Sequence, residues 1–296
     1  MTLDRRQLVV LVLLTLVWGL NWPVMKLGVS GWPQEPRTYP PLTFRALSML
    51  LGLPVLGAAL LWLKVPFRVG REHRAELARL TLANMLVWHV VIIVALQQLS
   101  SGRAAILGYT MPIFAALWGA LLFGDRLGGR QAFGVAAAAL GVALLLKSEF
   151  TRLAGAPLAA AAVVVAAAVW GYGTHRLRRS TVPLALLTIV FWMTASTAAV
   201  MAVLAFALER DAWRWPAPHV WFAVLYNAVG VFGFAHAAWF YLARTLPPVA
   251  SGISVMLIPV LGTFSGAWVL GEPLHWQDWA AMVAMVVAIA AVLLRR

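Results

Sequence analysis

The chain has 296 residues, of which 62% are hydrophobic and 11% are charged, and its mean hydropathy is +0.86. An average soluble domain has about 25% charged and about 45–50% apolar residues, so this composition excludes a soluble fold and predicts an integral membrane protein. The net charge of +13 does not indicate a nucleic-acid partner, because the basic residues cluster in short turns between apolar runs. The chain has no cysteine, which excludes disulfides and thiolate metal sites.

Apolar runs of about 20 residues predict membrane-spanning helices, and the chain has ten candidates, of which the fifth and the tenth are short. They cover residues 8–28, 41–63, 77–96, 104–123, 132–146, 157–174, 183–208, 220–243, 249–270 and 279–294. The first run follows Arg5 and Arg6 but lacks a small-residue cleavage pattern, so we interpret it as a retained helix and not as a signal peptide. The prediction is an all-α membrane protein with ten transmembrane helices.

The fourth run is repeated, in altered form, in the ninth. Residues 108–127 read GYTMPIFAALWGALLFGDRL, and residues 254–274 read SVMLIPVLGTFSGAWVLGEPL. Pro112 and Pro259 align at an offset of 147 residues (259 − 112), and the same offset relates the Gly-Asp and Gly-Glu pairs that end the two stretches. In a chain of this length the offset indicates an internal duplication.

A Trp-Gly pair also occurs in both halves, at Trp18-Gly19 and at Trp170-Gly171. Five spans per half is an odd number, so the second half must enter the membrane from the opposite side. We therefore predict two inverted five-helix repeats, residues 1–150 and 151–296, around a central cavity. Such a repeat favours alternating access, and a static channel is the alternative.

Charge predicts the orientation. If the N-terminus is cytoplasmic, the inner segments hold 15 of the 23 basic residues and four acids (15 − 4 = +11), and the outer segments hold the other 8 bases and 6 acids (8 − 6 = +2). The positive-inside rule then predicts a multi-pass protein of the cytoplasmic (inner) membrane with both termini in the cytoplasm.

The titratable residues limit the chemistry. All ten acids lie in loops or near helix ends, which argues against a carboxylate proton relay within the membrane. It also argues against a membrane enzyme, which would require buried acids, a nucleophile with its base, or a metal set. No cofactor and no metal are predicted. His89 and His236 lie within apolar runs, where an interhelical hydrogen bond and a role in the cavity both remain open.

Helical spacing groups the remaining polar and aromatic candidates on shared faces. Amides and hydroxyls suit the amino and carboxylate groups of a ligand, and the aromatic rings suit an apolar side chain. The predicted substrate-binding residues are Trp18, Asn21, Trp22, Asn84, Trp88, His89, Tyr109, Trp170, Asn227, His236, Trp239, Ser251 and Ser254. Pro112 and Pro259 are predicted to form a matching pair of bends that gate the site.

Ten helices, the paired Trp-Gly and the proline-containing helices that end in Gly-Asp/Glu-x-Leu resemble the drug/metabolite transporter superfamily. Within it the chain is most similar to EamA-type exporters, and among these to the YddG-like bacterial amino-acid exporters. The resemblance implies a ten-helix fold with a central cavity and export of small metabolites, which for that branch are aromatic and other apolar amino acids. The expected partners are such a small molecule and the lipid bilayer, with the protein a monomer or weak homo-oligomer. A passive facilitator, or an exporter of purines, drugs or cationic dyes, is the alternative.

Overall fold

The structure is a computed structural model that describes residues 4–30, 38–126, 128–151, 155–245 and 248–293. Every regular element in these ranges is helical, and they contain no strand. The α-helices are α1 (Arg5–Ser30), α2 (Pro41–Trp62), α3 (Arg74–Thr81), α4 (Val87–Ala95), α5 (Ser101–Gly108), α6 (Met111–Phe123), α7 (Gly129–Thr151), α8 (Pro157–Arg179), α9 (Leu186–Glu209), α10 (Pro218–Leu225), α11 (His236–Thr245), α12 (Pro248–Leu270) and α13 (Trp276–Leu293).

Length and apolar composition qualify eight helical stretches of the described chain to cross a membrane. Two further apolar stretches, Leu257–Leu270 and Trp276–Ala291, are shorter. The prediction of an all-α membrane protein is confirmed. The fifth predicted run is longer than its apolar core suggested, because α7 has 23 residues.

Proline and glycine account for many of the helix boundaries. Pro41, Pro157 and Pro218 open their helices, where the missing N–H costs no intrahelical hydrogen bond. Gly124 and Gly271 follow α6 and α12 with φ of 73° and 66°, a left-handed conformation that glycine adopts without steric penalty.

The third and eighth predicted runs each contain a stretch of wide, π-helical turns. Leu82–Leu86 joins α3 to α4, and Tyr226–Ala235 joins α10 to α11. Both stretches carry an asparagine whose Nδ2 donates to the backbone four residues earlier, at 3.2 Å for Asn84 and 3.0 Å for Asn227. Wide turns are uncommon and frequently lie at functional sites.

The two prolines that we expected to bend equivalent helices have different surroundings. The fourth run is broken, because α5 ends at Gly108 and α6 begins at Met111, with Pro112 in the first turn of α6. A proline cannot donate to the preceding turn, so the break just before it is expected. By contrast α12 continues through Pro259 as one helix. The two prolines therefore differ at the level of helix boundaries, and the matching pair of bends stays a prediction.

Two glycines bring α1 close to α12 and α8 close to α6. A Cβ built on Gly19 would lie 2.7 Å from Leu261 Cβ, and one built on Gly171 would lie 2.9 Å from Phe114 Cβ. Small residues at such positions allow the close helix packing that stabilises membrane bundles. The partners of the two glycines are 147 residues apart (261 − 114), which is the offset of the duplicated stretch.

Candidate functional site

Nine aromatic and imidazole rings from both halves of the chain form one connected group, which we call the central cluster. They come from α1, α4, the α5–α6 turn, α8, the second wide-turn stretch and α11. The members are Trp18, Trp22, Trp88, His89, Tyr109, Trp170, Phe232, His236 and Trp239.

One part of the cluster is built around Trp22 and Trp88. The Trp22 ring lies 6.4 Å from that of Trp88 and 6.3 Å from that of Tyr109, and the Trp88 ring lies 5.7 Å from that of Trp170 (centroid distances). All three pairs are edge-to-face, the arrangement that the ring quadrupoles favour. The break before Met111 places Tyr109 beside α1.

The other part is built around the two histidines. The His89 and His236 rings lie 5.9 Å apart, and His236 is also 5.9 Å from the Trp18 ring. The Trp18 ring continues the cluster to Trp239 at 5.7 Å. His89 and His236 are separated by 147 residues (236 − 89), the same offset as that between Pro112 and Pro259.

Several polar atoms in this region are buried and have no hydrogen-bond partner within the described chain. They include both ring nitrogens of His89 and the amide oxygen of Asn21. His236, in contrast, has its Nδ1 2.9 Å from the Val231 carbonyl oxygen. Buried polar groups in proteins are nearly always paired, so these atoms are candidates for contact with a ligand.

The structure brings together most of the predicted site residues, but not all of them. The eight predicted ring residues are all in the central cluster. Asn84 packs against Gly173 of α8, where a built Cβ would lie 2.7 Å from its Nδ2. Asn227 contacts Arg45. The side chains of Ser251 and Ser254 lie outside the part of the chain whose side chains are described.

Sequence reasoning missed Phe232 and Arg45. Phe232 stacks on His236 at 5.4 Å, but it is an ordinary apolar residue in sequence and gives no signal. Arg45 was counted among the outer charges, although its side chain is 1% exposed in α2. The sequence did distinguish Arg45, because it is the one charged residue in the apolar run at 41–63.

Glu272, just beyond α12, binds the first turn of α5. Its carboxylate accepts hydrogen bonds from the Ser101 amide at 2.8 and 3.0 Å and from the Ser101 hydroxyl at 2.7 Å. A longer bond of 3.4 Å comes from the Gly102 amide. The carboxylate thus satisfies N–H groups that a helix N-terminus leaves unpaired, and it complements the helix dipole.

Arg103 extends this region, which we call the Glu272 end, with a buried ion-pair network. Its Nε donates to Asp278 at 2.6 Å, and its Nη1 donates to Glu149. Glu149 also accepts from the Ala156 amide at 2.7 Å, next to the start of α8. These contacts tie α5, α7, α8 and α13 together.

The opposite region, which we call the Asp125 end, is held by more exposed ion pairs. Arg179 Nη2 lies 2.8 Å from Asp125, and both side chains are 48% exposed. Arg176 binds Glu76 through two bonds of 2.9 and 2.6 Å. The described acids are thus engaged at the two ends of the bundle, and none of them contacts a ring of the central cluster.

The comparisons with known proteins agree with this architecture. The EamA-like transporter family matches the chain twice, at residues 6–147 and 154–294. The chain belongs to the EamA-like transporter family.

Several relatives of this family member are described as transporters. The chain is 26% identical to the uncharacterized inner membrane transporter YedA of Escherichia coli K12, with 95% of this chain and 88% of that protein covered. It is 24% identical to a probable amino-acid metabolite efflux pump of the same strain, with 96% and 93% covered. A protein of known crystal structure has the same fold, with a TM-score of 0.66, 22% identity and 95% and 96% coverage.

Proposed function

We propose that this family member is an inner-membrane exporter of small metabolites, with aromatic and other apolar amino acids as its substrates. It works by alternating access between two inverted five-helix repeats that together make ten spans, with both termini in the cytoplasm. The protein has no catalytic activity and acts as a monomer or weak homo-oligomer. The Glu272 end is then the outer end, and the Asp125 end is the cytoplasmic end.

Three observations support the inverted repeats. The family matches each half separately. Gly19 meets Leu261 of α12 in the same way that Gly171 meets Phe114 of α6. The Asp125 amide also bonds to the Gly119 carbonyl at 2.9 Å, as the Glu272 amide does to the Gly266 carbonyl at 3.5 Å. Leu261 and Phe114 differ by 147 residues (261 − 114), and so do Gly266 and Gly119 (266 − 119), as expected if two copies of one unit face each other.

The single observation that carries the substrate proposal is the central cluster with its unpartnered polar atoms. Rings from both halves meet there, so relative motion of the halves would open or close contacts with a ligand. An apolar or aromatic side chain fits among edge-to-face rings. The imidazole of His89 and the amide oxygen of Asn21 offer one donor and additional acceptors to the polar groups of an amino acid. The efflux-pump relative is consistent with this substrate class.

A passive facilitator is the second candidate, and one observation favours it. The described carboxylates are engaged at the ends of the bundle and leave no acidic relay through the cluster. Proton coupling would therefore depend on the histidine pair.

The substrate proposal is tested by efflux from proteoliposomes loaded with labelled phenylalanine, a labelled purine or a cationic dye, with and without a pH gradient. We expect saturable phenylalanine efflux that other apolar amino acids compete with. Efflux of dye or purine without efflux of amino acids would reject the substrate class. Phenylalanine efflux that does not respond to a pH gradient would favour the facilitator.

The two prolines remain candidates for gating, in a modified form. The break before Pro112 and the unbroken helix at Pro259 make Pro112 the position where helix geometry is already interrupted. Replacement of both by alanine is expected to change the transport rate more than substrate affinity. Unaltered transport in Pro112→Ala/Pro259→Ala would reject a gating role.

A further inference from the structure

The guanidinium of Arg45 is a buried cation beside the central cluster. It lies four residues into α2, about 6 Å along the helix axis from its first residue at the rise of an α-helix. Its side chain is nevertheless 1% exposed and is among the largest fully buried side chains of the described chain. Ionisable groups inside a membrane bundle are costly and mark substrate or ion pathways by default.

The partners of Arg45 within the described residues are neutral. Nη1 donates to Asn227 Oδ1 at 3.1 Å, and Nη2 donates to the Met25 sulfur at 2.8 Å. The Nε atom is buried without a partner. No carboxylate in the described chain lies within ion-pair distance, and the nearest end of α2 is bound by Glu209 through Leu42 and Thr43, not through Arg45.

This environment contrasts with that of Arg103, which is also buried. Arg103 is compensated by two carboxylates, Asp278 and Glu149, as expected for a structural buried ion pair. A buried guanidinium without an anion bears an uncompensated desolvation cost. The aromatic faces of Phe44 and Phe232, whose centroids lie 5.9 and 5.6 Å from its Cζ, offset part of that cost.

Arg45 also borders the central cluster. The Phe232 ring lies close to both the Arg45 guanidinium and the His89 ring, which is 5.2 Å away. The two side chains that carry the unpartnered Nε of Arg45 and the unpartnered ring nitrogens of His89 are therefore both neighbours of Phe232. A guanidinium with a free N–H, next to an apolar aromatic surface, matches a carboxylate attached to a hydrophobic group.

We propose that Arg45 is the subsite for the carboxylate of the transported molecule, with Asn227 holding the guanidinium in position. The inference rests on the proposed function, which it deepens by requiring an anionic carboxylate in the substrate. The apolar side chain of that substrate lies among the rings of the central cluster. Molecules with the same aromatic group but without a carboxylate are then poor ligands.

The test measures binding to the purified, detergent-solubilised protein by competition with labelled phenylalanine and, independently, by ligand-induced thermal stabilisation. The probes are phenylalanine, 3-phenylpropionate, phenylalaninamide and phenethylamine, which separate the carboxylate from the amino group. Wild-type protein is expected to prefer the two carboxylate probes, phenylalanine and 3-phenylpropionate, over phenylalaninamide and phenethylamine, which lack the carboxylate, by about tenfold to a hundredfold, as for a hydrogen bond to a charged group.

Three variants make the test specific. Arg45→Gln is expected to reduce that preference to about one, and Arg45→Lys to retain part of it. Arg130→Gln removes an exposed cation at the start of α7 and serves as the matched control, with the preference unchanged. If Arg45→Gln does not fold, Asn227→Asp provides the answer, because it places a carboxylate 3.1 Å from Nη1.

Asn227→Asp is expected to fold and to lose the preference for carboxylates, since the new acid occupies the guanidinium. If Arg45 has only a structural role, Asn227→Asp keeps the preference for carboxylate probes, and that result overturns the inference. An unchanged carboxylate preference in a folded Arg45→Gln also overturns it. Arg45-dependent binding of 3-phenylpropionate without any binding of phenylalanine would retain the anion subsite and reject the amino-acid proposal.

Discussion

The Glu272 end and the Asp125 end have the same backbone turn but differ in how that turn is held. In each, a helix stops at a left-handed glycine, and the following amide bonds to a glycine carbonyl six residues earlier. The Glu272 carboxylate binds the backbone of a neighbouring helix. The Asp125 carboxylate instead binds a half-exposed arginine side chain.

The sequence explains this difference. The offset of 147 residues relates Ser101, whose amide binds Glu272, to Pro248. A proline has no N–H and cannot bind an acid in this way. One end is therefore held by a carboxylate that caps a helix, whereas the other end cannot form the same contact. If the protein works by alternating access, as proposed above, this difference favours opening at the Asp125 end.

The largest expected effect is at Arg103. Arg103→Gln leaves Glu149 and Asp278 buried without a cation, and we expect the free energy of unfolding to fall by about 3–5 kcal/mol. The matched variant at the other end, Arg179→Gln, removes a half-exposed ion pair and should cost about 0–1 kcal/mol. Unfolding titrations with SDS in mixed micelles measure both. Equal losses would contradict the distinction between the two ends.

Glu272→Ala removes the cap of α5 and is expected to cost about 2–3 kcal/mol, the range for a charged acceptor of helix N–H groups. Asp125→Ala should cost about 1 kcal/mol or less, because its partner is exposed.

The chain has no cysteine, so a single cysteine at Ala105 of α5 reports opening without background labelling. We expect Glu272→Ala, but not Asp125→Ala, to increase its reaction with a membrane-impermeant thiol reagent. Unchanged labelling would show that Glu272 does not close this end.

A smaller loss of stability is expected from replacing Gly266 and Gly119, whose carbonyls accept hydrogen bonds from the Glu272 and Asp125 amides. A Cβ on Gly266 would overlap Ser101 Oγ and lie 2.7 Å from Glu272 Oε2. Gly266→Ala should therefore cost about 1–2 kcal/mol, as for modest overpacking. A Cβ on Gly119 would lie 2.7 Å from Asp125 Oδ2, but that side chain is half exposed and can turn away. Gly119→Ala should thus change the unfolding midpoint less, and the reverse order would contradict the comparison.

Much of the fold follows from patterns that a single sequence displays. Apolar runs locate the helices because the bilayer requires about 20 apolar residues for each span. The repeat is visible in the sequence because Pro112 and Pro259 are each followed, at the same distance, by a glycine and an acid. The sequence could not show that the helix breaks before Pro112 but continues through Pro259, since a proline permits either a kink or a stop.

The site was predictable only in part. Tryptophans and histidines within apolar runs stand out, and the structure places the seven predicted ones, together with Tyr109, in the central cluster. Arg45 was misassigned because its position near the start of α2 resembles an interfacial charge. Its burial depends on Asn227 and Phe232, which are more than 180 residues away in the chain, and no local pattern contains that information.

Counterflow in proteoliposomes tests alternating access most directly. Vesicles are preloaded with unlabelled phenylalanine, and the initial entry of labelled phenylalanine is compared with that into empty vesicles. Alternating access predicts that internal phenylalanine accelerates entry of the label several-fold, because a loaded carrier returns its site to the outside by carrying substrate. Equal entry rates with and without internal phenylalanine would reject alternating access and indicate a channel.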